Sequence, residues 1–325
     1  MDPAPPTLDC TPDTATGRRM SAAPRDPASV SIIVPCLGHA AELRDCLASL
    51  VPQIAGTSHQ VIVVDSAGDD AVAGVARSFP GVELVRSPSL LLPGGARNLG
   101  ARRATGELLG FIDADCVALP GWIDAIVATL GGGARLAGGP IGDRQPLHPV
   151  AAADNLLQFV DFATTRRNGV IDHAPSCNVA IRREDYEILG GFPSDVAIAQ
   201  DVLFVQAALA RWPDGLRYSR SMRVRHAGRR QVAALWQHQD SFGYSRAEYR
   251  LMVEPWQLRA GAWWLSVPLV MAKRLVYLVA SVCRHRPHDL LRLPLLLPMT
   301  LVGLLAYAFG FRRACRDLRR SRPQS

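Results

Sequence analysis

The order of apolar and polar residues between positions 30 and 130 predicts a regular alternation of strands and helices. Short apolar runs predict four strands, at residues 30–34, 60–64, 82–85 and 108–112. Between them, apolar residues recur at helical spacing and predict helices at residues 41–51, 70–78, 94–104 and 120–130. Buried strands that alternate with helices are typical of a parallel, doubly wound α/β sheet.

The same alternation continues, less regularly, to residue 249. Further strands are predicted at residues 135–141, 178–181 and 217–225. Further helices are predicted at residues 151–164, 183–189, 199–210 and 231–249. Two polar residues stand at the ends of these elements: Asp201 lies in the first turn of its helix, and His226 directly follows its strand.

The C-terminal part is more apolar than the rest of the chain. Residues 262–282 are apolar except for Lys273 and Arg274, and residues 293–311 form a run of nineteen without a charge. At about 1.5 Å per residue such a run can cross a bilayer. Two full crossings, however, would leave the basic link 284–286 on the outer side, against the positive-inside tendency. We therefore expect these segments to lie in the membrane interface or to re-enter, and a buried helical pair in a soluble protein remains the alternative.

Composition divides the 325-residue chain into three parts. Residues 1–28 are rich in proline and are expected to be disordered, with no apolar core of signal-peptide length. Residues 29–250 form the α/β domain, and residues 251–325 hold the apolar helices and a basic tail. The seven cysteines include no C-x-x-C pair, which indicates reduced thiols and argues against a zinc knuckle.

The charge of the chain is unevenly distributed. The net charge is +7, and the tail at residues 312–322 carries six arginines against one acid. Beside apolar segments, such a tail favours an anionic membrane surface over nucleic acid, for which no motif is present. We expect the basic tail to lie on the cytoplasmic side of the cell membrane.

Three acidic residues follow predicted strands. Asp65 ends the second strand, and Asp113 and Asp115 follow the fourth. The carboxyl ends of parallel strands form the ligand-binding edge of such sheets, so these acids are expected to meet there. Two converging carboxylates repel each other unless a cation lies between them, and oxygen ligands suit Mg²⁺ or Mn²⁺. An Asp-x-Asp triplet alone is weak evidence, because such a triplet often caps a turn.

Six motifs in this order resemble the family-2 glycosyltransferases, which have the GT-A fold and use nucleotide-sugar donors. They span residues 31–226 and read SIIVPCLG (31–38), VIVVDSAGDD (61–70), GGARNLGARRATGELLGFIDADC (94–116), CNVAIRREDYEILGGF (177–192), AQD (199–201) and RVRH (223–226). The resemblance implies a GT-A fold of the Rossmann-like, mostly parallel type. It also implies a glycosyltransferase that needs Mg²⁺ or Mn²⁺.

The resemblance also implies roles for seven residues, by position. The donor nucleotide is expected at Pro35, Asp65, Arg97 and Asp113, the metal at Asp115 and His226, and the general base at Asp201. Four of these residues also have a structural alternative. Asp65 could be a turn residue, and Asp201 could cap its helix. Arg97 could be a solvated helix-face charge, and His226 could be a hydrogen-bonded structural histidine.

The chain departs from the family pattern at three positions. His39 stands where many relatives have an acid near the end of the first strand, Ser66 replaces a second aspartate after Asp65, and Gln200 replaces the glutamate before Asp201. These departures leave open a catalytically degenerate protein that binds nucleotide sugars. A nucleotidyltransferase is a second alternative, because it would use the same nucleotide, metal and sheet edge.

The expected function is sugar transfer from a nucleoside-diphosphate sugar to an acceptor at the cytoplasmic face of the membrane. One base and no second carboxylate nucleophile in the motifs favour inversion at the anomeric carbon. The acceptor could be a lipid-linked or envelope glycan, a growing polysaccharide or a small molecule. The apolar C-terminal segments favour a lipid-linked acceptor.

Overall fold

The computed structural model describes residues 28–253 and 266–320. The predicted disordered tail (residues 1–28) therefore lies almost entirely outside the described residues. The strands are β1 (Val30–Cys36), β2 (Gln60–Asp65), β3 (Val82–Arg86), β4 (Leu108–Phe111), β5 (Cys116–Ala118), β6 (Leu136–Gly138), β7 (Ile141–Asp143), β8 (Gly169–Val170), β9 (Val179–Arg182), β10 (Leu216–Tyr218) and β11 (Val224–His226). The helices are α1 (Ala40–Ile54), α2 (Asp70–Arg77), α3 (Pro93–Arg103), α4 (Trp122–Gly131), α5 (Pro149–Phe159), α6 (Arg183–Leu189), α7 (Gln200–Arg211), α8 (Val232–Val253), α9 (Ser266–His285) and α10 (Leu293–Arg320).

The central sheet has eight strands in the order β3-β2-β1-β4-β9-β6-β10-β8. Its first four strands are parallel, and β9 runs antiparallel between β4 and β6. A second, three-stranded sheet has the order β5-β11-β7. The predicted fold class, a mostly parallel α/β sheet wound with helices, is confirmed.

One apolar core lies between the central sheet and its helices. The strands β1 and β2 are apolar along almost their whole length because both of their faces are covered. Gly100 of α3 approaches this sheet closely, since a Cβ at that position would meet the side chain of Ile33 at 2.5 Å. This packing fixes α3, the helix that carries Arg97, against β1 and β2.

Three predicted strands differ from the observed ones by more than one residue at an end. The predicted strand 135–141 is two strands, β6 and β7, which belong to different sheets, and the predicted strand 217–225 is likewise split into β10 and β11. Strand β1 continues through Pro35, where it was predicted to end. Proline is tolerated there because β1 pairs with β4 only as far as Ile33. Pro35 lies beyond the end of that pairing, so its missing N–H removes no hydrogen bond between β1 and β4.

The C-terminal helices form a second packed unit on the α/β domain. Helix α10 packs along α8 and α5, and small apolar clusters join these helices to α9. The domain boundary predicted between residues 250 and 251 falls inside α8. By length and composition, one helix of the described residues, Leu293–Asp317, could cross a membrane, and 44 % of its most apolar window is buried against the protein.

Candidate active site

The carboxyl end of β4 leads directly into the acidic motif. After Phe111 the chain leaves the sheet, and Asp113 forms an ion pair of 2.5 Å with Arg97 of α3. Burial raises the pKa of the Asp113 carboxyl, and the charge of Arg97 opposes that shift without cancelling it. Arg97 is buried, with 2 % of its surface exposed, and its Nε and Nη1 atoms have no hydrogen-bond partner in the described protein. It is therefore not a solvated helix-face charge.

Asp115 pairs with His226, which β11 brings in from a position 111 residues later in the chain. The Oδ2 of Asp115 lies 3.3 Å from Nε2 of His226. Burial alone would raise the pKa of Asp115, but the charge and hydrogen bond of His226 lower it to about 2. The other ring nitrogen of His226, Nδ1, lies 2.7 Å from the side-chain oxygen of Asn155 on α5.

The pair fits a divalent cation by the chemistry of its donor atoms. A carboxylate and an imidazole whose far nitrogen is held by a second residue are a usual ligand pair for first-row divalent ions. Asp115 is also one-third exposed, at 32 % of its side-chain surface, so a bound ion could take further ligands from solvent or substrate. Asp115, Cys116 and His226 have ligand atoms within 4.8 Å of one another.

Asp201 lies in the first turn of α7. Its Oδ1 accepts a hydrogen bond from the N–H of Val202, and its Oδ2 accepts one from the N–H of Ser176 at 3.3 Å. Among residues 28–249 and 267–317, whose side chains the structure describes, no lysine, arginine or histidine lies within ion-pair distance of this carboxylate. The residue before α7, Ala199, has a left-handed backbone (φ 71°), an uncommon conformation for alanine.

The turn before β9 brings Asp201 to the end of β4. Ser176, whose N–H binds Asp201, lies in the 3-10 turn Ser176–Asn178, and Val179 directly after it pairs with Phe111 at the end of β4. The buried thiol of Cys177 lies in the same turn. A hydrogen bond with Cys116 lowers the pKa of this thiol, but burial and the charges of Asp113, Asp115 and Asp201 raise it overall.

Asp65 is placed at the same edge of the sheet, but its oxygens are already engaged. It is fully buried, its Oδ1 accepts from the N–H groups of Ala67 and Asp69, and its Oδ2 pairs with Arg86 at 3.2 Å. A nucleotide could reach this carboxylate only if one of these bonds opened. Its predicted role in nucleotide binding stays a prediction, as does that of Pro35, which pairs in register with Val64 of β2.

Two residues that hold the site together were not found from the sequence. Asn155 orients His226, and the neighbouring Asp154 is fully buried and binds Arg229 in the loop after β11. Both lie in α5, whose other buried residues are apolar. In the sequence, two adjacent polar residues within an otherwise apolar helix could have indicated a buried polar role for both.

The fold is that of the GT-A glycosyltransferases. Mannosyltransferase PcManGT from Pyrobaculum calidifontis, in complex with GDP-Man and Mn²⁺, aligns with a TM-score of 0.53 and 19 % identity, over 87 % of this chain and 86 % of that one. Residues 1–349 of TarS from S. aureus align with a TM-score of 0.51 and 15 % identity, over 91 % of this chain and 93 % of that one.

Residues 31–189 match the family model described as Glycosyl transferase family 2, and this part of the chain is a family-2 glycosyltransferase domain. Glycosyltransferase AglE of Haloferax volcanii is 27 % identical over 185 residues, which cover 55 % of this chain and 60 % of AglE. Human polypeptide N-acetylgalactosaminyltransferase 15 is 36 % identical over 78 residues, which cover 22 % of this chain and 12 % of that protein. The alignments thus span less than two thirds of each of these relatives.

Proposed function

We propose that the chain is a metal-dependent glycosyltransferase that moves a sugar from a nucleoside-diphosphate sugar to an acceptor hydroxyl or phosphate, with inversion. One observation carries the proposal: the Asp115–His226 pair follows the carboxyl end of β4, and Asp201 accepts a hydrogen bond from Ser176 in the turn that leads into β9, the strand that pairs with β4. Residues 31–189, which include β4 and β9, match the family-2 model.

Asp115 and His226 would hold the divalent ion, which when bound neutralises the charge that builds up on the departing diphosphate. Arg97 supports the donor side of the site: its two free nitrogens are buried next to Asp113, where a polar ligand atom would satisfy them. Asn155 keeps the imidazole of His226 turned towards Asp115.

Asp201 is the proposed general base. The acceptor hydroxyl has too high a pKa to attack readily, so a carboxylate within hydrogen-bond reach assists by taking its proton. Asp113 is paired with Arg97 and Asp115 with His226, whereas Asp201 has only N–H partners. One such base and no second free carboxylate beside it support inversion.

The proposal is tested by a panel of UDP- and GDP-sugars with Mn²⁺ or Mg²⁺ and two variants. Asp115→Asn is expected to lose metal-dependent donor hydrolysis and transfer by about 100-fold or more. Asp201→Asn is expected to keep nucleotide binding and lose transfer by about 100- to 10,000-fold. Asp124→Asn, an exposed aspartate on α4, is the matched control and is expected to remain fully active.

The same assays separate the two alternatives. A nucleotidyltransferase would release pyrophosphate in place of a nucleoside diphosphate. A degenerate binding protein would show metal-dependent binding of a nucleotide sugar by calorimetry without turnover. Full activity of Asp115→Asn would remove the metal assignment, and full activity of Asp201→Asn would remove the base.

We also propose that the enzyme associates with the cytoplasmic face of a membrane, where a lipid-linked glycan is the favoured acceptor. Apolar side chains are exposed on α9, on the 3-10 turn at residues 287–291 and on α10: Leu269, Val276, Leu291, Leu295 and Phe309. Lys273 and Arg284 of α9 are exposed as well, and basic residues beside apolar ones favour an anionic lipid surface. Arg274, in contrast, packs inward against the ring of Tyr307 at 3.7 Å.

A further inference from the structure

Cys116 and His226 are direct cross-strand partners in the small sheet. They face each other in the antiparallel pairing of β5 with β11, and directly opposed residues carry their side chains on the same face. Asp115 precedes β5, and its two oxygens reach both partners: Oδ1 lies 3.8 Å from Sγ of Cys116, and Oδ2 lies 3.3 Å from Nε2 of His226. Three different donor atoms therefore converge.

The hydrogen bonds of Asn155 fix which nitrogen of His226 is available. The amide nitrogen of Asn155 donates to the backbone oxygen of His226, so its amide oxygen must be the atom that faces Nδ1. That oxygen only accepts, and Nδ1 of the neutral ring therefore carries the proton. In the charged ring Nε2 also carries a proton, which it donates to Asp115. In the neutral ring the lone pair of Nε2 points towards Asp115 and is available to a cation, as in metal-binding histidines whose second nitrogen is held by an outer partner.

We propose that Cys116 is a third protein ligand of the metal site and that the site consequently binds thiophilic divalent ions such as Zn²⁺ and Co²⁺ more tightly than Mg²⁺ or Mn²⁺. Carboxylate, imidazole and thiolate together suit a four-coordinate ion with one position open for water or a phosphate oxygen. On binding, the Sγ–H bond breaks and its proton passes to solvent while the sulfur–metal bond forms. This inference rests on the metal site of the proposed function.

The choice of metal follows from the softness of the sulfur. Mg²⁺ prefers oxygen ligands and would leave the thiol protonated and unbound, whereas thiolate ligands favour Zn²⁺. Among residues 28–253 and 266–320, the Asp115–Cys116–His226 group is the one place where three such side chains come within ligand distance of one another. The neighbouring Cys177 lies against Cys116 but not within this group, so it supplies a matched control.

The test is the absorption spectrum of the full-length protein titrated with Co²⁺ alone. A thiolate ligand gives an intense charge-transfer band in the near ultraviolet, which oxygen and nitrogen ligands do not. We expect this band in the wild type and in Cys177→Ser, and its loss in Cys116→Ser. In competition with a chromophoric chelator, Cys116→Ser is expected to bind Zn²⁺ more weakly by more than about tenfold, since even outer-shell changes cost about that much, and to bind Mn²⁺ unchanged.

Two results would overturn the inference: bound Co²⁺ in the wild type without the charge-transfer band, or a Cys116→Ser variant that keeps both the band and the affinity for Zn²⁺. If Cys116→Ser is unfolded by circular dichroism, Cys116→Ala serves in its place and must lose the same band, while Cys177→Ser keeps it. If sugar transfer depends on Mn²⁺ but bound Co²⁺ gives no charge-transfer band, this inference is wrong and the proposed function still holds. Failure of every nucleotide sugar would instead contradict the proposed function.

Discussion

Asp154 is the residue that ties the histidine side of the site to the rest of the protein. It is fully buried, its Oδ2 accepts from the backbone N–H and from the guanidinium of Arg229, and its Oδ1 lies 3.3 Å from both Nδ1 of His238 and Nε2 of Gln239. It therefore joins α5 to the loop after β11 and to α8. Because Asn155, the next residue, holds His226, one turn of α5 positions both that loop and the proposed metal ligand.

This arrangement predicts how the stability of the protein depends on pH. Burial alone would raise the pKa of Asp154, but the hydrogen bond with His238 and the charge of Arg229 lower it overall. A carboxyl whose pKa is lower in the folded state stabilises the fold fully above its unfolded pKa of about 4. That contribution is lost progressively as the pH falls from there through the lower pKa of the folded state. We expect Asp154→Asn to lower the free energy of unfolding by about 3 kcal/mol at pH 7, since it leaves Arg229 without its buried partner.

The measurement is urea unfolding of the wild type and Asp154→Asn at pH 7 and at pH 3.5. The difference in the free energy of unfolding between the two proteins should be largest at pH 7. It should be smaller at pH 3.5, where the stabilising contribution of the wild-type carboxyl begins to decrease. Asp124→Asn, which changes an exposed aspartate, controls for the general effect of removing a negative charge. A difference that is independent of pH would show that Asp154 acts through packing alone.

The residues at the strand ends were predictable, but the state of their side chains was not. The strand pattern indicated Asp113 and Asp115, because residues that follow parallel strands meet at one edge. His226 was expected only from the resemblance, since β11 belongs to the second sheet and pairs antiparallel with β5. The pattern could not show that Asp65 is fully buried and bound by Arg86, since that ion pair depends on how β3 lies against β2. Nor could it show Asn155, whose role depends on the packing of α5 against β11.

At the scale of elements, the contact between α8 and α10 depends on two glycines. A Cβ on Gly310 of α10 would overlap the backbone oxygen of Asp240 in α8, and a Cβ on Gly243 of α8 would overlap the backbone oxygen of Tyr307 in α10. The two helix backbones therefore touch at these points, which only residues without a side chain allow. Arg313 of α10 adds an ion pair of 2.6 Å with Asp240.

We expect Gly310→Ala to destabilise the protein by about 1–3 kcal/mol, as overpacking of a close contact typically does. The control is Gly74→Ala in the middle of α2, where a new Cβ meets no atom within 4 Å. That substitution should stabilise the protein by about 0.5–1 kcal/mol, because alanine loses less entropy than glycine in a helix. Denaturant unfolding of both variants measures these changes in the free energy of unfolding. If Gly310→Ala left the free energy of unfolding unchanged, α10 would not pack so closely against α8.

Helices and strands were predictable from the sequence where capping residues and the hydrophobic pattern indicate the same boundary. Helix α2 starts after Asp69, whose side chain accepts from the N–H of Ala71, and α6 ends at Gly190 in the left-handed conformation. The predicted strand 135–141 failed for a reason that lies outside the segment. Gly139 packs against the backbone of Met222, so the chain crosses between the two sheets at that point instead of continuing in one.

At the scale of the whole molecule, the turn between α9 and α10 is fastened to the α/β domain. Arg286 is buried and donates from Nη2 to the backbone oxygens of Ile141 and Phe159 at 3.0 and 2.9 Å. Asp289 in turn pairs with Arg292 at 3.0 Å. If α9 and α10 both crossed a bilayer, this turn would lie on the opposite side from the domain that it binds. The contacts therefore argue against two full membrane crossings by α9 and α10.

Binding to vesicles tests that arrangement. The full-length protein is expected to co-sediment with vesicles of phosphatidylcholine and phosphatidylglycerol, and less with phosphatidylcholine alone, because Lys273 and Arg284 face solvent beside the apolar residues. The double variant Val276→Glu, Leu295→Glu should weaken binding by about tenfold or more, since each side chain contributes on the order of 1–2 kcal/mol when it leaves water. Leu147→Glu is the matched control, because Leu147 is 93 % exposed but precedes α5 on the α/β domain. Equal loss of binding in the control would indicate a general effect of added negative charge. If the wild type bound neither kind of vesicle, the proposed membrane association would be wrong, but the proposed sugar transfer would not be affected.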